Sequence, residues 1–324
     1  MIRVGIVGTG YAAKIRVQAF GDDRRSRAIK VAGRSAERTE LFAQEHGLEA
    51  VEDWRSLVGD DDIDLVVVAT VSCLHGDVVQ AALTADKDVV VEYPLSLDAG
   101  QAEALVAIAK EKRRLLHVEH IELLGGLHQA MKVHLPRIGT PSYVNYRTIN
   151  VVRSAPLKWT YRFDLFGFPF CAALSRVHRL TQLFGGVKAV DCCTRTIQNQ
   201  ADSNYFSSVL SSARLQFKSG LVAEVTYGKG EGFWIGRRDV EVQGQSGALL
   251  FERNEGTLTT EAGVESIAVA PRKGLFVKDT QGVLDYLTEG TPLYVRPEDS
   301  LYALRVGDAL RRASEDGKGV VLEE

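Results

Sequence analysis

Short apolar runs alternate with amphipathic stretches through the first third of the chain. The clearest run, DLVVVAT at 64–70, is almost continuously apolar, which is typical of a strand buried on both faces of a parallel sheet. The stretch at 98–112 has alanine and leucine at helical spacing and basic residues in its last turn. This alternation predicts a doubly wound parallel sheet. The predicted strands are 3–7, 28–32, 64–70, 88–92 and 115–119, and the predicted helices are 12–20, 37–46, 77–85 and 98–112.

The pattern changes after Gly125-Gly126, where strand-like stretches replace the alternation. Glycines and clusters such as Lys-Ser-Gly and Asn-Glu-Gly mark turns between these stretches. We therefore predict an α/β protein with a Rossmann domain over 1–124 and an α+β domain over 125–324, built on a large, mostly antiparallel open sheet. The second set of predicted strands is 142–152, 187–197, 211–220, 221–230, 239–244 and 248–254, and the predicted helices are 169–184, 278–289 and 298–314, the last of which could pack back on the first domain.

The composition is that of an ordinary soluble globular protein, with 45% hydrophobic and 25% charged residues among 324. A net charge of −3 provides no general attraction to nucleic acid or to an anionic membrane. No apolar run approaches the roughly 20 residues that span a bilayer, and the chain begins with a strand pattern rather than a signal peptide. The four cysteines show neither CxxC nor zinc-ligand spacing. We expect a reduced, cytoplasmic protein that binds no metal.

The first predicted strand runs into the fingerprint G-x-G-x-x-A, which begins at Gly8 and opens a predicted helix. Gly8 permits the tight turn, Gly10 lets the backbone approach a pyrophosphate, and Ala13 keeps the helix close to the sheet. The helix N-terminus then faces the phosphates. Because the motif lies within a βαβ pattern, it predicts dinucleotide binding rather than a purely structural turn. The predicted contacts are Gly8, Thr9, Gly10, Tyr11 and Ala12.

The end of the second predicted strand indicates which dinucleotide is bound. An NAD-selective site usually places an acid there, to hydrogen-bond the ribose hydroxyl. This chain instead has Gly33-Arg34-Ser35, with Arg38 one helical turn later. Arg34 and Ser35 suit a 2′-phosphate, so the pattern favours NADPH, with NADH as the weaker alternative. The competing interpretation is that Arg34 is a solvated surface residue.

Three further residues near predicted strand ends are expected beside the cofactor. Thr70 ends the strand at 64–70, and His75 follows in a loop that contacts cofactors in this fold. Glu92 ends the next strand and could orient the nicotinamide amide or hold a water. A structural role, as partner of a basic residue, stays open for Glu92.

Residues 92–94, Glu-Tyr-Pro, lie at the end of the predicted strand 88–92 of the Rossmann pattern. With the open-sheet domain that follows, this Glu-x-Pro resembles the Gfo/Idh/MocA oxidoreductases. Most sugar and cyclitol dehydrogenases of that family have Glu-Lys-Pro, followed by an Asp…His pair. Here Tyr93 replaces the lysine, and His178 lies about a turn from the family position with no acid before it. These departures disfavour the family's usual carbinol oxidation.

Four stretches more closely resemble the biliverdin-reductase branch of the family, particularly its cyanobacterial form. They are VEYPLSL (91–97), LLHVEHIELLGG (115–126), FGFPF…LSR (166–176) and GLFVKDT…VLDYLTEGTPLYV (274–295). The resemblance implies NADPH-dependent reduction of biliverdin IXα to bilirubin IXα, with hydride transfer to the C10 meso carbon and protonation of a pyrrole nitrogen. It also implies a monomer.

A conjugated, dianionic substrate requires an apolar platform, cations and a neutral donor. Tyr93 offers a flat face and a hydroxyl, although a packing role stays open. The resemblance places Arg176 at the substrate, where it could bind the pyrrole system or a propionate; the alternative is a surface salt bridge. Glu92, Tyr93 and Arg176 are thus the candidate catalytic residues.

Other candidate substrate contacts are less distinctive. His120 and Glu122 follow the strand at 115–119 and are expected to share one face, with His120 either in the cleft or structural. Arg237 and Arg238 end the aromatic stretch GKGEGFWIGRR at 228–238, which suits a dianionic tetrapyrrole but also an ordinary basic hairpin.

Two other functions stay open. One is a family dehydrogenase acting on a sugar or another carbonyl, which the missing lysine disfavours. The other is a non-catalytic NADP-binding regulator, which the presence of both Tyr93 and Arg176 disfavours.

Overall fold

A computed structural model describes residues 1–322, which divide into two compact units. The first unit comprises Met1–Ile121 and Gly274–Tyr302, and the second comprises Glu122–Lys273 and the chain from Ala303 onward. The segment that begins at Gly274 thus groups with the N-terminal sequence. In the described part of the chain, no helix is both long and apolar enough to cross a membrane.

The first unit is organised around a parallel sheet. Its strands are β1 (Ile2–Val7), β2 (Ser26–Ala32), β3 (Glu49–Val51), β4 (Leu65–Val68), β5 (Asp88–Val91) and β6 (Leu116–Val118). Across residues 1–322, the sheet has six strands in the order β3-β2-β1-β4-β5-β6, and each neighbouring pair is parallel. The order reverses between β1 and β4, where such sheets place their ligand crevice. The predicted doubly wound parallel sheet is confirmed.

The apolar runs of the first unit form its core. Every residue of β4 is buried, because this strand has parallel neighbours on both sides and its faces are covered. Val4, Ile6, Phe20 and Val67 belong to one buried cluster. The helices that follow these strands in sequence are α1 (Tyr11–Gly21), α2 (Ala36–His46), α3 (Trp54–Val58), α4 (His75–Thr84) and α5 (Ala99–Lys112).

The second unit contains a larger, mostly antiparallel sheet. Its strands are β7 (Pro141–Val151), β8 (Val187–Gln198), β9 (Phe206–Phe217), β10 (Val222–Gly230), β11 (Arg237–Gly244), β12 (Gly247–Glu252), β13 (Glu255–Thr260), β14 (Gly263–Ala268) and β15 (Val320–Val321). Over the described ranges, the order is β14-β13-β12-β11-β7-β10-β9-β8-β15, and the pairing of β10 with β7 is parallel. Val144, Tyr146 and Thr148 are buried at alternate positions of β7, as expected of a strand with one covered face. The predicted α+β open-sheet architecture is confirmed.

The remaining helices include one correction to the predicted elements. They are α6 (Gly126–His134), α7 (Phe163–Phe166), α8 (Pro169–Ala172), α9 (Ser175–Phe184), α10 (Leu275–Glu289) and α11 (Pro297–Asp316). The prediction of one continuous helix over 169–184 was wrong, because Ala173 has a ψ of 42° and interrupts it. Hydrophobic spacing did not indicate the break, since both α8 and α9 bury apolar residues.

Candidate functional site

The glycine turn after β1 has the geometry of a phosphate cradle. Gly8 has a φ of +127°, and a Cβ there would lie 2.1 Å from the carbonyl oxygen of Ala69, so only glycine fits. Gly10 is the N-cap of α1 and has no side chain to cap the helix; apart from its chain neighbours, no atom of residues 1–322 lies within 4 Å of the position of a Cβ there. The first N–H groups of α1 therefore remain open to a ligand. These features fit the pyrophosphate of a dinucleotide.

Two arginines follow β2 in the chain and form no ion pairs in the part of the chain that the structure describes. Arg34 and Arg38 are both exposed, and neither forms an ion pair within residues 1–322. Between them, Ser35 is the N-cap of α2, and its Oγ accepts a hydrogen bond from the backbone N–H of Arg38 at 3.5 Å. The arrangement places two cations and a hydroxyl at the beginning of a helix, as a phosphate monoester requires.

His75 ties the loop after β4 to the Tyr93-Pro94 step. Its ring is buried, with Nδ1 2.7 Å from the carbonyl oxygen of Pro94 and Nε2 3.2 Å from that of Thr70. Burial lowers the pKa of His75 and keeps the ring neutral. The Nδ1–H then donates to the nearer carbonyl, that of Pro94. This contact gives His75 a structural function in positioning the end of β5.

Glu92 takes part in a buried ion-pair network. Its carboxylate accepts a hydrogen bond from Nε of Arg16 at 3.2 Å. Nη1 of Arg16 binds the carboxylate of Asp279 and donates to Oγ1 of Thr280 at 3.1 Å. Burial alone would lower the pKa of Arg16, but the charges of Asp279 and Glu92 outweigh it and raise that pKa. Glu92 thus has the basic partner that the structural interpretation required.

Asp279 connects this ion pair to the aromatic residues near Tyr93. Its Oδ1 accepts a hydrogen bond from the hydroxyl of Tyr294 at 2.6 Å and lies 2.8 Å from Nε2 of His117. The Tyr294 oxygen accepts in turn from the backbone N–H of His120 at 3.0 Å. The His120 ring stacks on Tyr93, with centroids 5.3 Å apart and planes at 9°. A chain of contacts therefore runs from Arg16 to the ring of Tyr93.

The expectation that His120 and Glu122 share one strand face was wrong. β6 ends at Val118, and a short 3₁₀ turn covers Ile121–Leu123, so strand alternation does not apply. Nε2 of His120 lies 2.8 Å from Oγ of Ser300.

Glu122 belongs to the second unit, where it contacts two arginines. One carboxylate oxygen lies 3.2 Å from Nη2 of Arg179, and the other binds Arg272. Burial raises the pKa of Glu122, but the charges of Arg179, Arg272 and Arg176 outweigh it and lower the pKa overall. Glu122 is therefore an ionised partner of arginines.

Arg176 lies in the first turn of α9 in the second unit. Its Cζ is 5.2 Å from the ring centroid of Tyr227, and Nη1 donates to Oγ of Ser175 at 3.1 Å. A pocket in the same unit is lined by Arg176, Arg179 and Arg238, whereas Arg237 does not line it. Of the two arginines predicted as substrate contacts, Arg238 therefore lies in the same pocket as Arg176, and Arg237 does not.

Lys229 is a buried cation that sequence reasoning missed. It is 7% exposed, and its Nζ lies 4.1 Å from the ring centroid of Phe166, 4.4 Å from that of Tyr161 and 5.2 Å from that of Phe206. Nζ donates to the carbonyl oxygen of Thr160. Burial, and then the charge of Arg176, lower the pKa of Lys229 to about 7. The clue in the sequence was a lysine between two glycines, which does not by itself indicate an aromatic cage.

Replacing Lys229 with methionine is expected to stabilise the chain more at pH 7 than at pH 10. The pKa of Lys229 is about 7 in the folded chain, against about 10.4 for an exposed lysine. Between these values the unfolded chain holds more protons, so the wild type loses stability as the pH falls. Methionine removes that dependence, and the gain should grow by roughly 3 to 4 kcal/mol from pH 10 to pH 7. Urea unfolding at both values measures the gain; equal gains would contradict the assignment.

Four other residues of the candidate site were not predicted from the sequence. Arg16, His117, Asp279 and Tyr294 form the buried network around Glu92, but they are far apart in the sequence. Among residues 1–322, no group of three or more His, Cys, Asp or Glu is placed to hold a metal ion.

Both parts of the chain match one family of known proteins, and a solved structure is similar to nearly the whole chain. Residues 2–120 match the model of an oxidoreductase family with an NAD-binding Rossmann fold, and residues 133–322 match that family's C-terminal alpha/beta domain. A biliverdin reductase from Synechocystis sp. PCC 6803, solved in complex with biliverdin and NADP+, is 48% identical. That alignment covers 97% of this chain and 99% of the other, with a TM-score of 0.95.

Two curated relatives extend the comparison. Biliverdin reductase A from Mus musculus is 29% identical over 62% of this chain, and the match spans 63% of that protein's length. A dTDP-3,4-didehydro-2,6-dideoxy-alpha-D-glucose 3-reductase from Actinomadura kijaniata is 25% identical over 97% of this chain and 96% of that protein. The chain therefore spans less than two thirds of the mouse relative and nearly all of the actinobacterial one.

Proposed function

This chain belongs to the Gfo/Idh/MocA oxidoreductase family and is an NAD(P)-dependent oxidoreductase, and from that premise we propose that it reduces biliverdin IXα to bilirubin IXα with NADPH. The observation that carries the proposal is the 48% identity, over nearly the whole of both chains, to a biliverdin reductase solved with biliverdin and NADP+. In the proposed reaction a hydride is added at C10 and a proton at a pyrrole nitrogen. NADPH becomes NADP+, and the balance needs no other reductant.

The residues of the first unit suit the cofactor. NADPH supplies the hydride when bound. The open N-terminus of α1, with Gly8 and Gly10 before it, would hold the pyrophosphate. Arg34 and Ser35 would hold the 2′-phosphate, since Arg34 has no ion pair within the described ranges.

Replacing Arg34 with alanine is expected to raise the KM for NADPH roughly tenfold, because one charge-assisted contact to a phosphate is lost. The KM for NADH should change little, since NADH has no 2′-phosphate. Steady-state kinetics with both cofactors provides the comparison. An equal change for the two cofactors, or no change for NADPH, would remove Arg34 from 2′-phosphate recognition.

Tyr93 is proposed to provide a flat face and a neutral donor to the tetrapyrrole. Its ring stacks on that of His120, which the hydroxyl of Tyr294 and Ser300 hold in turn. Glu92, which directly precedes Tyr93, is held by its hydrogen bond from Arg16. A platform held from below in this way would present its other face to a planar substrate.

Arg176 is proposed to contact the substrate and to assist protonation. A free guanidinium binds its proton too tightly to be a good acid, so the proton would pass from water through the hydrogen bonds of Arg176. Its positive charge would also stabilise negative charge that develops on the pyrrole system. The cation–π contact with Tyr227, at 5.2 Å from Cζ to the ring centroid, would help to hold the guanidinium in place.

A carbonyl reductase is the second candidate function. The Actinomadura kijaniata sugar reductase matches nearly the whole chain, although at 25% identity. The residue between Glu92 and Pro94 disfavours it, because a tyrosine stands where most sugar dehydrogenases of the family have a lysine.

The experiment that tests the proposal is a mixture of the protein, NADPH and biliverdin. We expect the blue-green pigment to turn yellow while the nicotinamide absorbance falls, with one mole of NADPH consumed per mole of biliverdin. Reduction of a sugar or another carbonyl without any change in biliverdin would support the second candidate instead. A chain that binds NADPH but leaves every substrate unchanged would support a non-catalytic regulator.

A further inference from the structure

A pocket in the first unit lies away from the glycine turn. It encloses about 440 Å³ and is lined by parts of 106–116, at the end of α5 and the beginning of β6, and by parts of 286–298. That volume is within the range of small-molecule sites, about 300 to 1,000 Å³. Leu116 is the first residue of β6, whereas a dinucleotide binds at the carboxyl ends of the parallel strands. The pocket is therefore separate from the cofactor site.

The wall of this pocket is largely apolar and is already formed. Leu293 is partly buried and packs against the main core cluster of the unit. The hydroxyl of Tyr294, the next residue in the chain, donates to Asp279 at 2.6 Å and anchors this part of the wall. A preformed apolar wall suits the hydrocarbon body of a ligand. The apolar lining residues are Val106, Ala109, Leu115, Leu116, Tyr286, Pro292, Leu293, Val295 and Pro297.

Positive charge lies beside the apolar wall. Among residues 1–322, the lining has four cationic side chains and one acid, which are Lys110, Arg113, Arg114, Arg296 and Glu298. Arg296 is already paired with Asp299 at 2.7 Å. The other three cations are exposed, and within the described residues their side chains form neither an ion pair nor a hydrogen bond. The pocket thus combines apolar surface with cations that are free to bind an anion.

The backbone at Arg113 shows that an arginine is not required there for the fold. The dipole of α5 is one reason for basic residues nearby, since Lys110 and Lys112 lie in its last turn. Arg113 is the C-cap of the helix and has a φ of +54°, in the left-handed region where glycine is usual. Glycine would form the same cap without the steric cost. The arginine therefore adds a guanidinium to the pocket at a cost in backbone strain.

We propose that this pocket binds an aliphatic carboxylate, with its hydrocarbon body on the apolar wall and its head group on Arg113 and Arg114. A guanidinium donates two parallel hydrogen bonds to a carboxylate. Because Glu298 lies in the same lining, a singly charged head is favoured over a dianionic phosphate. Each methylene that the wall buries should strengthen binding roughly fourfold. The site does not depend on the proposed reaction, since it assigns a different ligand to a different part of the chain.

Isothermal titration calorimetry with octanoate as the probe tests the proposal. The protein is saturated with NADP+, so that the cofactor crevice is occupied. Butyrate retains the head but has four fewer methylenes, so it should bind at least tenfold more weakly than octanoate. Octanol retains the body but has no charge, and it should also bind at least tenfold more weakly.

Two double variants locate the binding site. Arg113→Gln/Arg114→Gln should weaken octanoate binding roughly tenfold, because it removes the two guanidinium groups proposed to hold the head. Arg24→Gln/Arg27→Gln is the matched control and should leave the Kd unchanged. It also removes two exposed arginines of the first unit, but these do not line the pocket. Urea unfolding without octanoate checks that both variants are folded.

Three results would overturn the proposal. Wild-type protein that binds no octanoate would have no such site. Equal Kd values for octanol and octanoate would show that the arginines do not recognise the head group. An unchanged Kd in Arg113→Gln/Arg114→Gln, or an equal loss in both double variants, would separate octanoate binding from this pocket.

Discussion

Replacing Asp279 with asparagine is expected to lower the free energy of unfolding by about 3 to 5 kcal/mol. Asp279 and Arg16 are both fully buried, and the carboxylate also accepts the hydrogen bond of Tyr294 and lies against His117. Asparagine preserves the shape but removes the charge, which leaves the guanidinium of Arg16 buried with Glu92 as its remaining acidic partner. Removing one partner of a buried, hydrogen-bonded ion pair is among the few single changes with so large a cost.

The pH dependence of stability should change in the same variant. The pKa of Asp279 is lowered, because the charges of Arg16 and His117 outweigh the opposing effect of burial. A carboxyl with a lowered pKa contributes stability above its unfolded value of about 4 and loses it as the pH falls through the folded pKa. Asp279→Asn should therefore be most destabilising at neutral pH and progressively less so in acid.

Urea unfolding followed by circular dichroism measures both effects. Asp285→Asn is the matched control, since Asp285 lies on the same helix and pairs with Arg25 near the surface at 2.7 Å. An exposed pair of this kind contributes about 0 to 1 kcal/mol. If Asp279→Asn cost no more than Asp285→Asn, the buried network would have no special importance for stability.

Replacing Arg176 with alanine is expected to lower kcat for biliverdin roughly a hundredfold. The variant would lose the cation beside the pyrrole system and the hydrogen bonds through which a proton could pass. Arg176→Lys should recover only part of the rate, because an ammonium retains the charge but not the planar fork of donors. Tyr93→Phe should be milder, since phenylalanine retains the ring that stacks on His120 and loses only the hydroxyl.

Steady-state kinetics at saturating NADPH distinguishes catalysis from binding. Replacing a residue that is used in the chemical step lowers kcat, whereas replacing one that is used only to bind substrate raises KM. The expected order of kcat is wild type, Tyr93→Phe, Arg176→Lys and Arg176→Ala. Normal turnover by Arg176→Ala would remove that residue from the mechanism.

The fold could be predicted from the sequence because buried strands and helices have regular patterns of apolar residues. Continuous apolar runs indicated the parallel strands, and glycine-marked turns indicated the antiparallel sheet. The strands at Glu255–Thr260 and Gly263–Ala268 were not predicted, because the first buries only Gly256 and Leu258 and the second exposes every residue except Ile267. The helix at Gly126–His134 was missed for a different reason: its glycine beginning resembles a loop.

The candidate site was predicted only where a local motif carries it. The glycine fingerprint requires a particular turn, so Gly8 could be assigned from its neighbours alone. Arg16 and Asp279 are 263 positions apart, and helical periodicity shows which face is buried but not what it contacts. The environment of Lys229 likewise depends on aromatic rings from other segments. Charge pairing across a fold is a tertiary property that spacing does not encode.

The central claim is that hydride passes from NADPH to C10 of biliverdin, and deuterium labelling tests it most directly. The protein would be given biliverdin and NADPH that carries deuterium at the transferred position of the nicotinamide, and the product would be examined by NMR and mass spectrometry. The account predicts bilirubin IXα with one deuterium, located at C10. Bilirubin without the label, a label at another carbon, or unchanged biliverdin with the labelled cofactor intact would contradict it.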